Sequence, residues 1–170
     1  MDDRLQMLMT RRSIRSYTDE DVSEQAVEKL LRAAMAAPSA GNEQPWHFVV
    51  IRDDETMRRI MDVHEYSSML EQAPVCIAVL GELALERHAG FWVQDCAAAT
   101  QNLLLAANAL GLGAVWLGVH PVKQRETGMA EILELPEGVV CFALAAVGHP
   151  AEQKPPAERY DPDRVHNEKW

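Results

Sequence analysis

The chain has 170 residues, 48% of them apolar, and carries 16 basic against 26 acidic side chains for a net charge of −10. A chain of this length forms one domain with a real core, burying roughly 70% of its unfolded surface. The acidic balance argues against general nucleic-acid binding, because a phosphate backbone would be repelled. No run reaches the ~18 apolar residues of a membrane helix. The first ten residues, MDDRLQMLMT, lack the basic start and apolar run of an export signal. A cytoplasmic protein with no membrane partner is the expectation.

In chain order, Val22 to Ala36 has helical spacing, with Ala26, Val27, Leu30, Leu31, Ala34 and Met35 on one face and Ser23 placed as N-cap. Pro38 and Gly41 end it. The β-branched run His47 to Ile51 predicts a strand. Asp54 to Val63 predicts a helix, and Pro74 to Leu80 a buried strand. Gly90 to Leu110 is the longest helical stretch and is apolar almost all round, which predicts a central, fully covered helix. Gly111 stands where a C′ glycine belongs. Ala114 to Leu117 predicts a short strand, Gln124 to Leu133 a surface helix, and Val139 to Val147 a central strand. Residues 1–147 form the expected core. Residues 148–170, with prolines at 150, 155, 156 and 162, read as a tail too polar for a core of its own but ending in Trp170.

The three cysteines, Cys76, Cys96 and Cys141, form no CxxC and sit in apolar stretches, so they read as reduced core thiols. Gly111-Leu-Gly113 does not continue to a GxGxxG fingerprint, there is no phosphate loop, and His64-Glu65 is not completed to HExxH. The six histidines show no metal-ligand spacing, so no metal site is expected.

Two constellations carry chemistry. Arg11-Arg12-Ser13-Ile14-Arg15 puts three guanidinium groups in five residues with no acid among them. In an extended segment Arg11, Ser13 and Arg15 share one face, which suits a phosphate or another oxyanion. The bland alternative is a solvated turn pairing with the acids at 19–21. The second constellation is Pro38-Ser-Ala-Gly-Asn-Glu-Gln-Pro-Trp46, between a helix and a buried strand. Its small residues and amides suit a flat, hydrogen-bonding ring. An ordinary helix–strand loop is the alternative there.

RRSIRSY, PSAGNEQPW, the later Gly111-Leu-Gly-Ala-Val-Trp-Leu-Gly118 and the tail from Gly148-His-Pro through Lys154-Pro-Pro-Ala-Glu-Arg159 to Trp170 together resemble the nitroreductase family, in order and over essentially the whole chain. The resemblance implies an α+β fold with a central, mostly antiparallel sheet flanked by helices. It also implies a homodimer that binds FMN at the subunit interface, with the 148–170 arm exchanged onto the partner.

Carried over by position, it implies that Arg11, Ser13 and Arg15 hold the FMN phosphate and the pyrimidine edge of the ring, with Arg12 at the ribityl or phosphate end. Pro38, Ser39, Asn42 and Gln44 would lie against the flavin, some from the other subunit. Leu117 and Gly118 would lie near flavin N5, and Arg159 would be a second phosphate ligand, with Lys154 a weaker candidate. Larger members place an Asn against the ring where this chain has Glu65-Tyr-Ser-Ser-Met-Leu70, and Ser67 or Ser68 is the available substitute.

The flavin would carry the chemistry, with no catalytic side chain required. NADH or NADPH would deliver hydride to N5 and leave, and an acceptor such as a nitroaromatic or quinone would follow in a ping-pong cycle. Arg15 would stabilise the reduced ring near N1 and O2. The rival readings are a flavin-fragmenting or dehalogenating relative, a non-catalytic FMN-binding protein, and a cofactor-free structural dimer.

Overall fold

Short, continuous apolar runs supply the sheet, and apolar helix faces cover it. The computed structural model describes residues 3–170. Met1 and Asp2, which open both the expected core and the stretch read against an export signal, lie outside the described residues. Helix α1 spans Asp3–Thr10, a segment to which hydropathy patterning assigned no element. Helix α2 (Glu24–Met35) starts where expected, with Ser23 Oγ accepting from the Ala26 amide at 3.2 Å. Strand β1 (Trp46–Ile51) and helix α3 (Asp54–Val63) follow, and Asp53 caps α3 through the Thr56 amide at 2.7 Å. Then come β2 (Val75–Glu82), α4 (Trp92–Ala109), β3 (Gly113–Gly118), α5 (Lys123–Ile132) and β4 (Val139–Gly148). Gly111 has φ +74°, as a C′ glycine should.

The four strands form one antiparallel sheet in the order β1-β2-β4-β3. The two middle strands are almost wholly buried, because both faces of the sheet are covered. The pleat sorts their side chains. Val75, Ile77 and Val79 face a core shared with Leu30 of α2 and with Cys96, Ala99 and Leu103 of α4. Cys76, Ala78 and Leu80 face the opposite core, shared with Met57 and Ile60 of α3 and Met129 of α5. All three cysteines are buried and unbridged, and burial pushes the Cys76 and Cys96 thiols up to about 12. The fold is therefore the expected α+β arrangement.

Helix α4 differs from expectation in one respect. Its sheet-facing side is buried, but Gln94 and Gln101 are exposed and Ala98 and Leu105 are only half-buried. These four positions recur at helical spacing and form one strip that the described residues leave partly open.

The arginine segment is fastened to the sheet edge. Ile14 is buried, its amide donates to the Ala114 carbonyl at 3.1 Å, and Ser13 bridges Ala114 in parallel beside β3. A side chain at Gly113 would put its Cβ 2.6 Å from Ile14 Cγ2, so this approach requires glycine. Beyond β4 the tail turns back along the same segment. Tyr17 bridges Pro150, the Thr18 amide donates to His149 at 2.9 Å, and the Ala151 amide donates to Ser16 at 2.9 Å. From Tyr160 onward the tail is exposed apart from half-buried Asp161, and the Trp170 ring, fully exposed, lies 4.4 Å from that of His166, centre to centre.

Candidate functional site

Arg11 and Arg12 open the fastened segment, and the returning tail brings Arg159 within electrostatic range of Arg11. Burial, Arg12 and Arg159 all push the Arg11 pKa down, the signature of like charges held together. Among the described residues no carboxylate pairs with Arg11, Arg12, Arg15 or Arg159. Two of the three acids expected to neutralise the segment are engaged elsewhere, and the third, Asp19, pairs with none of its arginines among the described residues. Asp21 pairs with Arg52 at 2.8 Å and Glu20 with His149 at 3.5 Å. The solvated-turn alternative therefore fails on geometry.

The tail also fixes the segment's backbone. Arg12 Nε donates to the Pro155 carbonyl at 2.6 Å, and Lys154 Nζ to the Ser13 carbonyl at 2.7 Å. The Arg15 amide donates to Glu152 at 2.6 Å, which holds that carboxyl below the usual range. Arg12 Nη2 is buried without a partner. Arg11, Arg12, Asn108, Glu152 and Lys154 line a small cavity of about 140 Å³, in which Glu152 pairs with Lys154 at 3.0 Å and leaves both arginines without an ion pair.

Arg15 faces another way, into a cavity of about 410 Å³ that it lines with His64, Tyr66, Ser68, Trp116, Leu117, Gly118 and Arg125, among others. The arginine segment thus spans two places: Arg11 and Arg12 at the cation cluster, Arg15 at the larger cavity. At Gly118, which ends β3, a Cβ would meet nothing within 4 Å. The Gly118 carbonyl accepts from Arg125 Nη1 at 2.9 Å and lies 2.9 Å from His64 Nε2. Arg125 also reaches Glu65 at 3.3 Å and sits 5.5 Å from the Tyr66 ring centre. Ser67 is fully buried and donates to the His64 carbonyl at 2.6 Å, whereas Ser68 lines the cavity. Of the two serines, Ser68 is the one placed to meet a ligand.

The Pro38–Gln44 loop lies elsewhere in the single chain. Its backbone enters the left-handed region at Gly41 (φ +53°), Asn42 (φ +57°) and Gln44 (φ +48°). Gln44 is an uncommon residue there, and the neighbourhood holds it: its amide donates to Ser39 Oγ at 3.1 Å and its side chain to Asn42 Oδ1 at 2.8 Å. Beneath the loop two buried carboxyls act as pins. Asp95 accepts from the Ala40 amide at 3.0 Å, and Glu43 accepts from the Arg87 amide at 2.6 Å and the His88 amide at 3.2 Å. Burial drives the Asp95 pKa up, and the amide donors drive that of Glu43 down. Pro38 and Ser39 line a third cavity of about 310 Å³ with Phe91, Gln94, Asp95 and Ala98, next to the open strip of α4. One chain therefore unites Arg15, Leu117 and Gly118, and separately Arg11, Arg12 and Arg159, but does not bring Pro38, Ser39, Asn42 and Gln44 to either place.

Sequence patterning missed His64, Tyr66, Trp116 and Arg125 as cavity residues. His64 stood out only as part of an incomplete metal motif, and Arg125 only as a charge on a surface helix. Neither position carries a local signal for the cavity. Among the described residues, no group of three or more His, Cys, Asp or Glu is placed to hold a metal ion. No helix among them is long and apolar enough to cross a membrane.

Comparison with known proteins agrees with this geometry. The sequence profile described as Nitroreductase family matches residues 8–64 and 61–149. A Methanothermobacter thermautotrophicus protein provisionally named NADH dehydrogenase/NAD(P)H nitroreductase is 49% identical, over 99% of this chain and 88% of its own length. A similarly named crystal structure from Parabacteroides distasonis superposes with a TM-score of 0.96 at 34% identity, covering 100% of both chains. A Desulfovibrio desulfuricans protein, provisionally named a nitroreductase and solved in complex with FMN, superposes with a TM-score of 0.90 at 37% identity over 100% of this chain and 99% of its own. The chain belongs to the nitroreductase family.

Proposed function

We propose that the chain is an FMN-dependent NAD(P)H oxidoreductase, working as a homodimer, that reduces small acceptors such as nitroaromatics or quinones. The observation that carries this reading is the uncompensated cation cluster of Arg11, Arg12 and Arg159, continuous through one short segment with the Arg15 cavity. An anionic chain that gathers these cations without a carboxylate partner has built a site for an external anion. The larger cavity fits a flat ring. Its size lies within the ~300–1,000 Å³ typical of cofactor sites. Trp116, Leu117 and Met69 give it apolar surface, and the space beyond Gly118 is open.

FMN, when bound, supplies a ring that accepts and delivers hydride. The chain's own groups hold and tune it. Arg11 and Arg159 neutralise the phosphate, Arg12 and Ser13 adjoin it, and Lys154 secures the Ser13 backbone. Arg15 places a positive charge at the pyrimidine edge, and Leu117 with Gly118 offers backbone toward N5. Pro38, Ser39, Asn42 and Gln44 come from the second copy. The open strip on α4 beside that loop, together with exposed Leu5, Leu8, Met9 and Met35, supports such a dimer. In this reading residues 148–159 belong to the FMN site of their own chain, and the exposed 160–170 segment is what reaches the partner. Reductant and acceptor must approach the same ring, so they take turns, which is the ping-pong order.

The decisive experiment is the visible spectrum after FMN is added and the excess removed. A retained flavin band that NADH or NADPH bleaches under nitrogen, and that a nitroaromatic or quinone restores, is the expected result. A protein that stays colourless overturns the reading.

A further inference from the structure

We propose that His64 is a positioning residue: its neutral imidazole ties the end of β3 at Gly118 to the Tyr66 rim of the cavity and holds the glycine in one conformation. The consequence for hydride transfer rests on the flavin reading above; the tie itself does not.

His64 follows α3 directly and is 2% exposed. Both ring nitrogens meet backbone. Nε2 lies 2.9 Å from the Gly118 carbonyl, which can only accept, so Nε2 carries the hydrogen. Nδ1 lies 3.3 Å from the Tyr66 amide, which can only donate, so Nδ1 is bare. Two backbone groups on separate elements thus select one neutral tautomer. Ser67 donates to the His64 carbonyl at 2.6 Å and holds the turn that carries the ring.

The tie answers a specific weakness. Gly118 is exposed at a strand end, has no side chain to pack, and faces open space. A glycine so placed samples many conformations unless its peptide is held. His64 and Arg125 both donate to its carbonyl, and that double contact restrains a residue that lines the cavity. The same imidazole holds the Tyr66 backbone, so floor and rim are set by one side chain.

The charged groups facing the ring are Arg125 from α5 and Glu65 beside it in the turn. Burial, with Arg125 second among the depressing influences, lowers the His64 pKa, and the Gly118 carbonyl and Glu65 oppose this. Protonation would put a hydrogen on Nδ1 against the Tyr66 N–H, so the rim contact exists only with the neutral ring.

The first test is ¹⁵N NMR of the histidine ring nitrogens in wild-type protein without flavin. The expected spectrum shows His64 protonated at Nε2 and bare at Nδ1, and still neutral at pH values where an ordinary histidine is charged. The opposite tautomer, or titration at the ordinary histidine pKa, overturns the proposal. The second test compares His64→Phe with His64→Gln, whose side-chain amide can still donate to Gly118. Flavin fluorescence titration gives FMN affinity, and anaerobic stopped-flow with NADH gives the bleaching rate. The expected outcome for His64→Phe is a ten- to hundredfold slower bleaching, about what a misplaced contact costs, with a much smaller loss of affinity. His64→Gln should recover most of the rate. Equal rates in His64→Phe and wild type, or no recovery in His64→Gln, overturn the proposal. Should His64→Phe fail to fold, Arg125→Met removes the second donor and should slow bleaching in the same direction; an unchanged rate then counts against the tie. Wild-type protein that takes up no FMN defeats the flavin reading, while the ring-nitrogen spectrum still decides His64.

Discussion

Two glycines at opposite ends of β3 separate the architecture from the site. At Gly113 an added Cβ would stand 2.6 Å from Ile14 Cγ2 and 2.9 Å from Ile14 Cβ. Ile14 is buried and cannot retreat without moving the arginine segment. Gly113→Ala should therefore carry an overpacking penalty of about 1–3 kcal/mol. For a chain of this size each kcal/mol lowers Tm by about 2–4 °C, so the loss is roughly 2–12 °C. At Gly118 the same methyl meets nothing within 4 Å. Gly118→Ala should leave the flavin-free protein as stable as wild type, or more stable by ~0.4–1 kcal/mol, because alanine restricts the unfolded chain. The cost should appear on binding instead. A methyl projecting where the ring must lie transfers the ~1–3 kcal/mol packing penalty to the complex, a loss of FMN affinity of about 5- to 150-fold. Thermal unfolding of the flavin-free variants and fluorescence titration with FMN measure the two effects. The reasoning fails if Gly118→Ala unfolds early without flavin, or binds FMN as tightly as wild type.

Other substitutions separate cluster, turn and tail. Arg159→Ala removes one of a set of repelling charges, so the flavin-free protein should lose no stability. FMN should bind about 10- to 150-fold more weakly, the value of a charge-assisted hydrogen bond of ~1.5–3 kcal/mol; a large drop in flavin-free Tm would instead mark the cluster as structural. Ser67→Ala should cost about 1 kcal/mol in urea unfolding, whereas Ser68→Ala should leave stability unchanged and perturb only flavin binding; the reverse pattern would mean that the turn has been misread. Folding favours protonated Asp95, so its contribution is complete below the ordinary aspartate pKa of ~3.9 and is lost as pH climbs toward the raised value. Asp95→Asn should flatten that part of the stability–pH curve, and an unchanged slope would show that another group causes it. A chain ending after Tyr160 keeps Arg159 and the tail contacts to Arg12, Ser13 and Arg15, so it should retain FMN; a shift to monomer in sedimentation would place the dimer contact in residues 161–170, and loss of the flavin would refute the division of the tail.

The strand runs and the helix faces can be read locally; the α+β class was implied by the family resemblance, and the order of the strands was decided by the tertiary structure. The apolar run Pro74 to Leu80 reads as a buried strand and Val139 to Val147 as a central one, and α2 and α3 show their faces in one period. The Ser23 cap and the Gly111 stop are equally local, each needing only a few neighbouring residues. Helix α1 left no such trace. Its Leu5, Leu8 and Met9 stay exposed, and Asn108 of α4 holds it by donating to the Met7 carbonyl at 2.9 Å. The uncovered strip on α4 was likewise hidden, because apolar composition alone does not say whether a surface is covered within one chain or left for another.

Sequence alone exposed the arginine segment as a charge anomaly, because three cations without an acid are improbable in a chain of net charge −10. The destinations of those cations were a tertiary matter. Ile14 entering the core turns Arg11 and Arg12 toward the returning tail and leaves Arg15 at the other cavity. Arg159 joins Arg11 across a long stretch of chain because backbone hydrogen bonds at Tyr17, Thr18 and Ala151 fold the tail back. His64, Ser68 and Arg125 gained their places the same way, from the packing of α3 and α5 on one face of the sheet. Periodicity records which face of an element is apolar. Which side chains from distant elements converge on one cavity depends on how those faces pack, and no local spacing encodes that.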